Sequence, residues 1–288
     1  KPVQPNQAVL RTLEALFTYL DELRRQSLTL ALVPTMGALH AGHLSLVTRA
    51  RECADAVLMS IFVNPTQFGE NEDFETYPRE FIGDQRKAFS AGCDAIFAPD
   101  SAIMYPAGYN TTVVPGPRAD ILCGKSRPGH FSGVCTIVLK LFHLTRCDVA
   151  LFGEKDYQQL ALIKAMVRDL NLSVVIEGCP IVREADGLAM SSRNQRLTPS
   201  SRSAARALSQ GLFAARSLWF DGERRATDLS QVVLAHLTRA GGVQVDYVAV
   251  LDPDLLTPLD GLIHQDCLVA VAAQLGDVRL IDNIVLRA

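Results

Sequence analysis

The chain has 288 residues, which is enough for one large domain or for two domains of ordinary size. Hydrophobic residues make up 48% and charged residues 20%, as is typical of a globular protein with a sizeable core. The formal net charge of −3 provides no basic excess, which argues against nucleic acid as the main partner.

The cysteines and the distribution of apolar residues indicate the cellular compartment of the protein. Seven cysteines are scattered along the chain, and no two of them form a CxxC pair. Such a set is typical of reduced thiols in a cytoplasmic protein and not of a disulfide framework or a zinc site. The N-terminal segment KPVQPNQAVLRTLEAL lacks the apolar core of a signal peptide, and charged residues interrupt the longer apolar segments. We therefore predict a cytoplasmic enzyme that does not span a membrane.

Short apolar segments alternate with helical patterns over the first part of the chain. Near-continuous hydrophobicity predicts strands that are buried on both faces of a parallel sheet. The alternation implies right-handed βαβ units, so the predicted fold class is α/β with a doubly wound, Rossmann-like parallel sheet. Ligands of such sheets bind at the carboxyl ends of the strands. The predicted strands are 29–35, 56–63, 94–98, 148–152 and 173–177, and the predicted helices are 44–54, 79–91, 132–146 and 157–171.

The pattern changes after residue 181. A polar loop, READGLAMSSRNQRL, leads to Thr198 and Pro199, which fit a helix N-cap followed by proline in the first turn. We expect a Rossmann-like domain over 1–181 and a smaller α+β C-terminal lid domain over 182–288, packed over the first and carrying the MSSR loop. In the second domain the predicted helices are 200–219 and 227–240, and the predicted strands are 244–251, 267–273 and 278–286.

The segment 33–47, VPTMGALHAGHLSLV, carries the strongest functional pattern. A strand ends at Thr35, Gly37 permits a tight turn, and a helix begins near His40 to Leu44. His40 and His43 are three residues apart, so both project from one side of the first helical turn. The backbone N–H groups and the helix dipole there favour a phosphate, and two imidazoles can stabilise charge on an α-phosphate. The structural alternative is that one histidine only caps the helix.

This H-x-G-H pattern resembles the signature of the adenylyl-transferring superfamily that includes class I aminoacyl-tRNA synthetases and small nucleotidyltransferases. The resemblance implies a later loop that carries small hydroxyls and a cation. The segment 189–194, AMSSRN, fits that description. Ser191 and Ser192 can donate to phosphates, and Arg193 can neutralise a pyrophosphate leaving group. Without the earlier histidines the same segment would indicate only an exposed polar loop.

A third segment, FGEKDYQQ at 152–159, follows a predicted strand. Lys155 is placed to supply a point charge to the α- or β-phosphate. Asp156 is placed either to accept from ribose hydroxyls or to cap the next helix, and the two roles are compatible. The segment therefore predicts a further part of a nucleotide site.

A fourth segment, FVNPTQFG at 62–69, follows the second predicted strand. Asn64 and Gln67 offer neutral amides that suit the hydroxyls and carboxylate of a small polar substrate. Phe62 and Phe68 are placed to wall an apolar pocket. An Asn-Pro turn is also a common loop device, so this segment alone would not predict a function.

Four longer segments together resemble the pantoate–β-alanine ligase (pantothenate synthetase) family. They are PTMGALHAGHLSLV, SIFVNPTQFGENEDFETYPR, RPGHFSGVCTIVLKLFHLTRCDVALFGEKDYQQL and VREADGLAMSSRNQRL, which cover most of residues 30–200. The resemblance implies an AMP-forming, ATP-dependent condensation of pantoate with β-alanine through a pantoyl adenylate, with release of pyrophosphate. It also implies Mg²⁺ with ATP, binding of ATP and pantoate by the first domain, and a homodimer.

The resemblance also implies roles for particular residues. His43, His40 and Lys155 would be catalytic. Gln67 and Gln159 would bind pantoate, and Gln67 would lie near β-alanine. The residues that would contact ATP are Met36, Gly37, Ala38, Leu39, His40, Ala41, Gly42, His43, Gly153, Glu154, Lys155, Asp156, Val182, Met190, Ser191, Ser192 and Arg193.

The metal ligand is left open by the sequence. The family often has several acidic residues shortly after its YPR tripeptide, one of them linked to Mg²⁺. Here Tyr77-Pro78-Arg79 is followed by EFIGD, which leaves Asp84 near that register. The acidic loop 66–76, TQFGENEDFET, is expected to be mobile.

Three other functions compete with the ligase. Another nucleotidyltransferase of the superfamily would keep AMP on its product, whereas the ligase releases it. An aminoacyl-tRNA synthetase is disfavoured because 288 mildly acidic residues leave no place for a basic surface or an anticodon-binding domain. A non-catalytic nucleotide sensor would not need leaving-group stabilisers such as Lys155 and Arg193.

Overall fold

A computed structural model describes residues 7–70 and 72–288 of the chain. Residues 1–6 lie outside the described residues. They are part of the predicted first domain and of the N-terminal segment that lacks the apolar core of a signal peptide. Asn71, a member of the loop 66–76 that the sequence predicts to be mobile, also lies outside them.

The described chain forms two compact units. The first contains the chain up to Glu154 together with Leu162–Pro180, and the second contains Lys155–Ala161 and Ile181–Ala288. The short segment Lys155–Ala161 therefore groups with the C-terminal part of the chain. No change of composition in the sequence indicates this grouping. The domain boundary at residue 181 and the lid role of residues 182–288 stay predictions.

Within the described residues, the first unit is built on a six-stranded sheet. Its strands are β1 (Ala8–Leu10), β2 (Leu30–Thr35), β3 (Ala56–Ile61), β4 (Ala95–Phe97), β5 (Val149–Gly153) and β6 (Val175–Cys179). Their order across the sheet is β1-β4-β3-β2-β5-β6, and all neighbours are parallel. The α/β class with a Rossmann-like parallel sheet is thereby confirmed. The expectation that every strand is buried is wrong for β6, because this strand forms an edge of the sheet and Val175 is 62% exposed.

Seven helices of the described chain precede residue 170. They are α1 (Leu13–Arg25), α2 (Ala41–Cys53), α3 (Phe81–Ser90), α4 (Ser101–Met104), α5 (Cys123–Ser126), α6 (His130–Thr145) and α7 (Tyr157–Asp169). The helix α1 was not predicted from the sequence, although Leu16, Leu20 and Leu23 form a buried stripe and Thr12 caps the helix. The helix α2 begins at Ala41 with His40 as its N-cap, which agrees with the expected start near His40 to Leu44, although the helical periodicity itself was read only from residue 44.

The second unit combines two long helices, α8 (Pro199–Phe220) and α9 (Ala226–Ala240), with an antiparallel sheet. The strands β7 (Gln244–Leu251), β8 (Cys267–Leu275) and β9 (Val278–Leu286) lie in sequential order. The side chain of Thr198 accepts from the Ser201 N–H at 3.2 Å, and Pro199 follows it, as predicted. Trp219, Leu212 and Val269 are among the buried residues of one core that joins the helices to the sheet.

A close approach fixes the loop that follows β3. The Asn64 side chain caps a turn of 3-10 helix at Pro65–Gln67 and donates to the Gly133 carbonyl at 3.2 Å. A Cβ atom on Gly133 would lie 2.3 Å from the Thr66 carbonyl oxygen, which no real contact permits. Glycine at this position therefore lets α6 pack directly on the backbone of the loop.

Replacing Gly133 by alanine should destabilise the first unit. Alanine has the better helix propensity by about 1 kcal/mol, but overpacking against backbone typically costs about 1–3 kcal/mol. We expect the free energy of unfolding, measured in urea, to fall on balance. Gly116→Ala is the matched control, because a Cβ there meets nothing within 4 Å. Equal stability of the two variants would contradict this account of the close approach.

Candidate functional site

The strand order places a ligand crevice in the first unit. The direction of winding reverses between β2 and β5, which pair through Ala31 with Val149 and Leu32 with Ala150. A reversal of this kind opens a crevice at the carboxyl ends of the two strands. The chain leaving β2 is the segment 36–43, and the chain leaving β5 begins with Gly153 and Glu154. The first unit therefore brings these sequence-predicted residues to one edge of the sheet.

The turn between β2 and α2 is held by a buried carboxylate. Gly37 and Ala38 have positive φ angles of 83° and 51°. The two oxygens of Asp84 accept from the Ala38 N–H at 2.7 Å and from the Leu39 N–H at 2.8 Å. Lys87 donates to the Leu39 carbonyl at 2.9 Å. Asp84, which is 2% exposed, thus fixes the turn that the sequence assigns to ATP, and its role as a metal ligand stays a prediction.

Two imidazoles cap α2. His40 Nδ1 accepts from the Gly42 N–H at 3.1 Å, and His43 Nδ1 accepts from the His40 N–H at 3.3 Å. The ring centroids lie 4.1 Å apart. A nitrogen that accepts carries no proton, so each neutral ring has its proton on Nε2. The capping that the sequence left as an alternative is therefore present, and it assigns the proton of each neutral ring to Nε2.

The amide of Gln67 is oriented by its neighbours. Gln67 Oε1 accepts from Asn64 Nδ2 at 3.1 Å, while Asn64 Oδ1 accepts from the Tyr105 hydroxyl at 2.7 Å. Gln67 Nε2 donates to the Met36 sulfur at 3.0 Å, which brings Gln67 to the turn after β2. The carbonyl oxygen is thus engaged by Asn64, and the amino group of Gln67 is the part suited to bind an acceptor on a substrate.

The loop 66–76 is tied to α6 by a short chain of polar contacts. The guanidinium of Arg127 contacts both carboxylate oxygens of Glu72, with Nε donating to Oε1 at 2.7 Å. Arg127 also donates to His130 Nε2 at 3.0 Å, and His130 Nδ1 donates to the Gln67 carbonyl at 2.7 Å. This link between the RPGH segment and Gln67 was not predicted, because the segment is known from the sequence only as part of the family resemblance.

The second unit holds the other predicted site residues in two segments. Lys155 and Asp156 lie in a turn of 3-10 helix, with Lys155 Nζ 3.9 Å from Asp156 Oδ2, and Gln159 follows, half-buried, on α7. In the later segment the Met190 N–H donates to the Val182 carbonyl at 2.9 Å. Each of the two segments is therefore held by a contact between its own residues.

The buried side-chain amide of Asn194 holds the MSSR loop. Ser191 Oγ accepts from the Arg193 N–H at 3.3 Å and caps a turn of 3-10 helix over Ser192–Arg196. Asn194 Nδ2 donates to Glu184 Oε1 at 2.7 Å. Arg202, which donates to the other oxygen of Glu184, holds the pKa of that carboxyl below its usual range. Glu184 was not predicted as a support, since nothing in the local sequence links it to Asn194.

Comparison with known proteins decides the family. The model of the pantoate–β-alanine ligase family matches residues 8–285. The chain belongs to the pantoate–β-alanine ligase family. It is 50% identical over 277 residues to the pantothenate synthetase of Heliobacterium modesticaldum, with 96% of this chain and 98% of the relative covered. It is 52% identical over 278 residues to that of Myxococcus xanthus, with 96% and 95% covered.

Solved structures of the family have the same fold. A crystal structure of pantothenate synthetase from Thermus thermophilus superposes with a TM-score of 0.89 at 41% identity, covering 96% of this chain and 98% of that one. The pantoate–β-alanine ligase of Francisella tularensis, complexed with β,γ-ATP and β-alanine, gives 0.77 at 33% identity, covering 96% and 97%. The chain is accordingly an enzyme, a ligase of pantoate and β-alanine.

Neither a metal cluster nor a membrane-spanning helix is found among the described residues. No group of three or more His, Cys, Asp or Glu side chains within residues 7–70 and 72–288 is arranged to hold a metal ion. No helix in these same ranges combines the length and apolar character that a membrane crossing requires.

Asp84→Asn should loosen the turn after β2. The amide keeps the size of the carboxylate, but its NH₂ group would face one of two backbone donors and leave a buried N–H without an acceptor, at about 1–3 kcal/mol. We expect lower stability in urea and faster hydrogen exchange of the Ala38 and Leu39 amides. The exposed Asp120→Asn is the control. Exchange rates equal to those of the unaltered enzyme would show that Asp84 does not hold the turn.

Proposed function

We propose that this ligase consumes ATP and proceeds through pantoyl adenylate, releasing AMP and pyrophosphate. The observation that carries the proposal is the pair of imidazoles at the start of α2, each with its proton on Nε2 because Nδ1 caps the helix. Two neutral donors at a helix N-terminus suit oxygens on which negative charge develops. The Francisella relative with bound β,γ-ATP and β-alanine supports ATP and β-alanine as substrates.

In the first step a carboxylate oxygen of pantoate attacks the α-phosphorus of ATP, and the bond to the bridging oxygen of pyrophosphate breaks. His40 and His43 are proposed to donate to the α-phosphate as its charge grows. Lys155 and Arg193 are proposed to neutralise the departing pyrophosphate, with further donors from the MSSR loop. Each group acts as a fixed charge or donor, which is the form of stabilisation most effective at phosphorus.

In the second step the amine of β-alanine attacks the acyl carbon, the C–O bond to AMP breaks, and the amine loses a proton as the amide forms. Gln67 and Gln159 are proposed to hold pantoate throughout. The oriented amino group of Gln67 supports its part in this role, because it can donate to a pantoate oxygen while Asn64 engages its carbonyl.

Mg²⁺ is proposed to enter as part of the substrate, bound to ATP. Mg²⁺ keeps several waters and takes phosphate oxygens with one or two carboxylates, so it does not need a cage of protein ligands. The lack of a three-residue acidic cluster in the described ranges is compatible with that mode. A homodimer and a cytoplasmic location complete the proposal. The homodimer rests on the family resemblance, and the location rests on the scattered cysteines and the composition of the chain.

The adenylate step should be separable from amide formation. Labelled pyrophosphate should exchange into ATP when only ATP, Mg²⁺ and pantoate are supplied, and omission of pantoate should abolish the exchange. His43→Ala should slow it by about 10²-fold or more, the typical effect of removing one preorganised donor. His264→Ala, at an exposed loop histidine, is the control. Formation of ADP and phosphate without exchange would refute the proposal.

A further inference from the structure

The last strand of the chain contains an unusual polar pair. β9 reads VRLIDNIVL, and its Asp282 and Asn283 are only 2% and 4% exposed. Buried carboxylates and amides destabilise a fold unless their polar atoms are paired. The neighbouring buried positions of β9 are apolar, as a strand inside a core requires. The contacts of this pair therefore indicate what it stabilises.

Asn283 reaches the segment that carries Lys155. Its Nδ2 donates to the Lys155 carbonyl at 3.0 Å, although the two residues lie 128 positions apart in the chain. The Asn283 N–H donates to Asp282 Oδ1 at 2.8 Å, which ties the two polar side chains together. The hydrogen bond thus fixes the backbone at the residue whose ammonium group is assigned to ATP.

Asp282 fixes the base of the 182–193 segment. Both of its oxygens accept from Arg183, at 2.6 Å and 2.9 Å, and Arg183 also donates to the Gly187 carbonyl at 3.1 Å. Burial raises the pKa of Asp282, whereas the positive charges of Arg183 and Lys155 favour its ionised form. A bidentate contact of this geometry is that of an ion pair, so we take Asp282 as charged.

We propose that Asn283 and Asp282 are positioning residues for the first half-reaction, because they hold Lys155 and the start of the 182–193 segment on one strand of the second unit. The inference rests on the proposed function, in which Lys155 acts on the phosphates of ATP. A shift of about 1 Å in a catalytic group can lower a rate by about 10²-fold, so a backbone clamp at Lys155 has a kinetic effect out of proportion to one hydrogen bond.

A double-mutant cycle tests the clamp. Asn283→Leu, Lys155→Ala and the double variant are compared by pantoate-dependent pyrophosphate exchange. Asn283→Leu keeps the branching of the side chain and removes the donor. We expect kcat of exchange to fall by about 10- to 100-fold with a smaller change in KM for ATP. In the Lys155→Ala background the same substitution should have almost no further effect, because Asn283 acts through Lys155.

Two further variants separate positioning from folding. Asn283→Asp preserves the volume of the side chain and should also slow exchange. It replaces Asn283→Leu in the test if that variant fails to fold. Asp282→Asn should reduce exchange, whereas Asp246→Asn, which removes the Asp246–Arg279 ion pair on the same sheet, should not. Thermal unfolding of each variant is measured alongside.

The outcomes distinguish a failure of the positioning role from a failure of the proposed adenylate route. Multiplicative effects of Asn283→Leu and Lys155→Ala, or full activity of Asn283→Leu beside an impaired Lys155→Ala, would overturn the positioning role and leave the proposed function standing. Full activity of Lys155→Ala would remove Lys155 from the mechanism, and the positioning role with it. Absence of exchange in the unaltered enzyme would instead refute the adenylate route itself.

Discussion

The first unit depends on how the backbone N–H groups ahead of α2 are satisfied. The opening turn of a helix leaves donors without intrahelical partners, and here the oxygens of Asp84 and the Nδ1 atoms of His40 and His43 accept from donors in and just before that turn. One set of contacts therefore sets the path of the turn, the start of the helix and the tautomer of both rings. Capping uses the Nδ1 side of both imidazoles, and the proposed catalytic role would use the Nε2 side, which gives a physical reason for the H-x-G-H spacing.

In the second unit, a buried ion pair holds one of the segments that carry the candidate site residues. Asp282 and Arg183 form a bidentate contact inside the unit, and such pairs are weak evidence for stability because the desolvation of two charges offsets much of their attraction. A pair of this kind is more easily explained by what it positions. Its neighbour Asn283 joins it to Lys155, so the polar side chains of β9 contact the segments that are proposed to bind phosphate.

The sequence predicted those features that are local. The strands β2 and β7 were predicted at or within one residue of their observed bounds, since apolar runs and alternation are visible in a short window. The helix α1 was equally visible, with its stripe of leucines, and was overlooked. The supports of the site were not predictable in this way. Asp84 lies 45 residues from Leu39, and Asn283 lies 128 from Lys155, so each pairing arises only from the fold.

The central claim is that a carboxylate oxygen of pantoate becomes bonded to the α-phosphorus of ATP. Pantoate labelled with ¹⁸O in its carboxylate tests this directly when a complete reaction with ATP and β-alanine is analysed by mass spectrometry. The adenylate route predicts one ¹⁸O atom in each AMP released, because the C–O bond breaks on the acyl side when the amine attacks. The label appearing in inorganic phosphate, with none in AMP, would contradict the account.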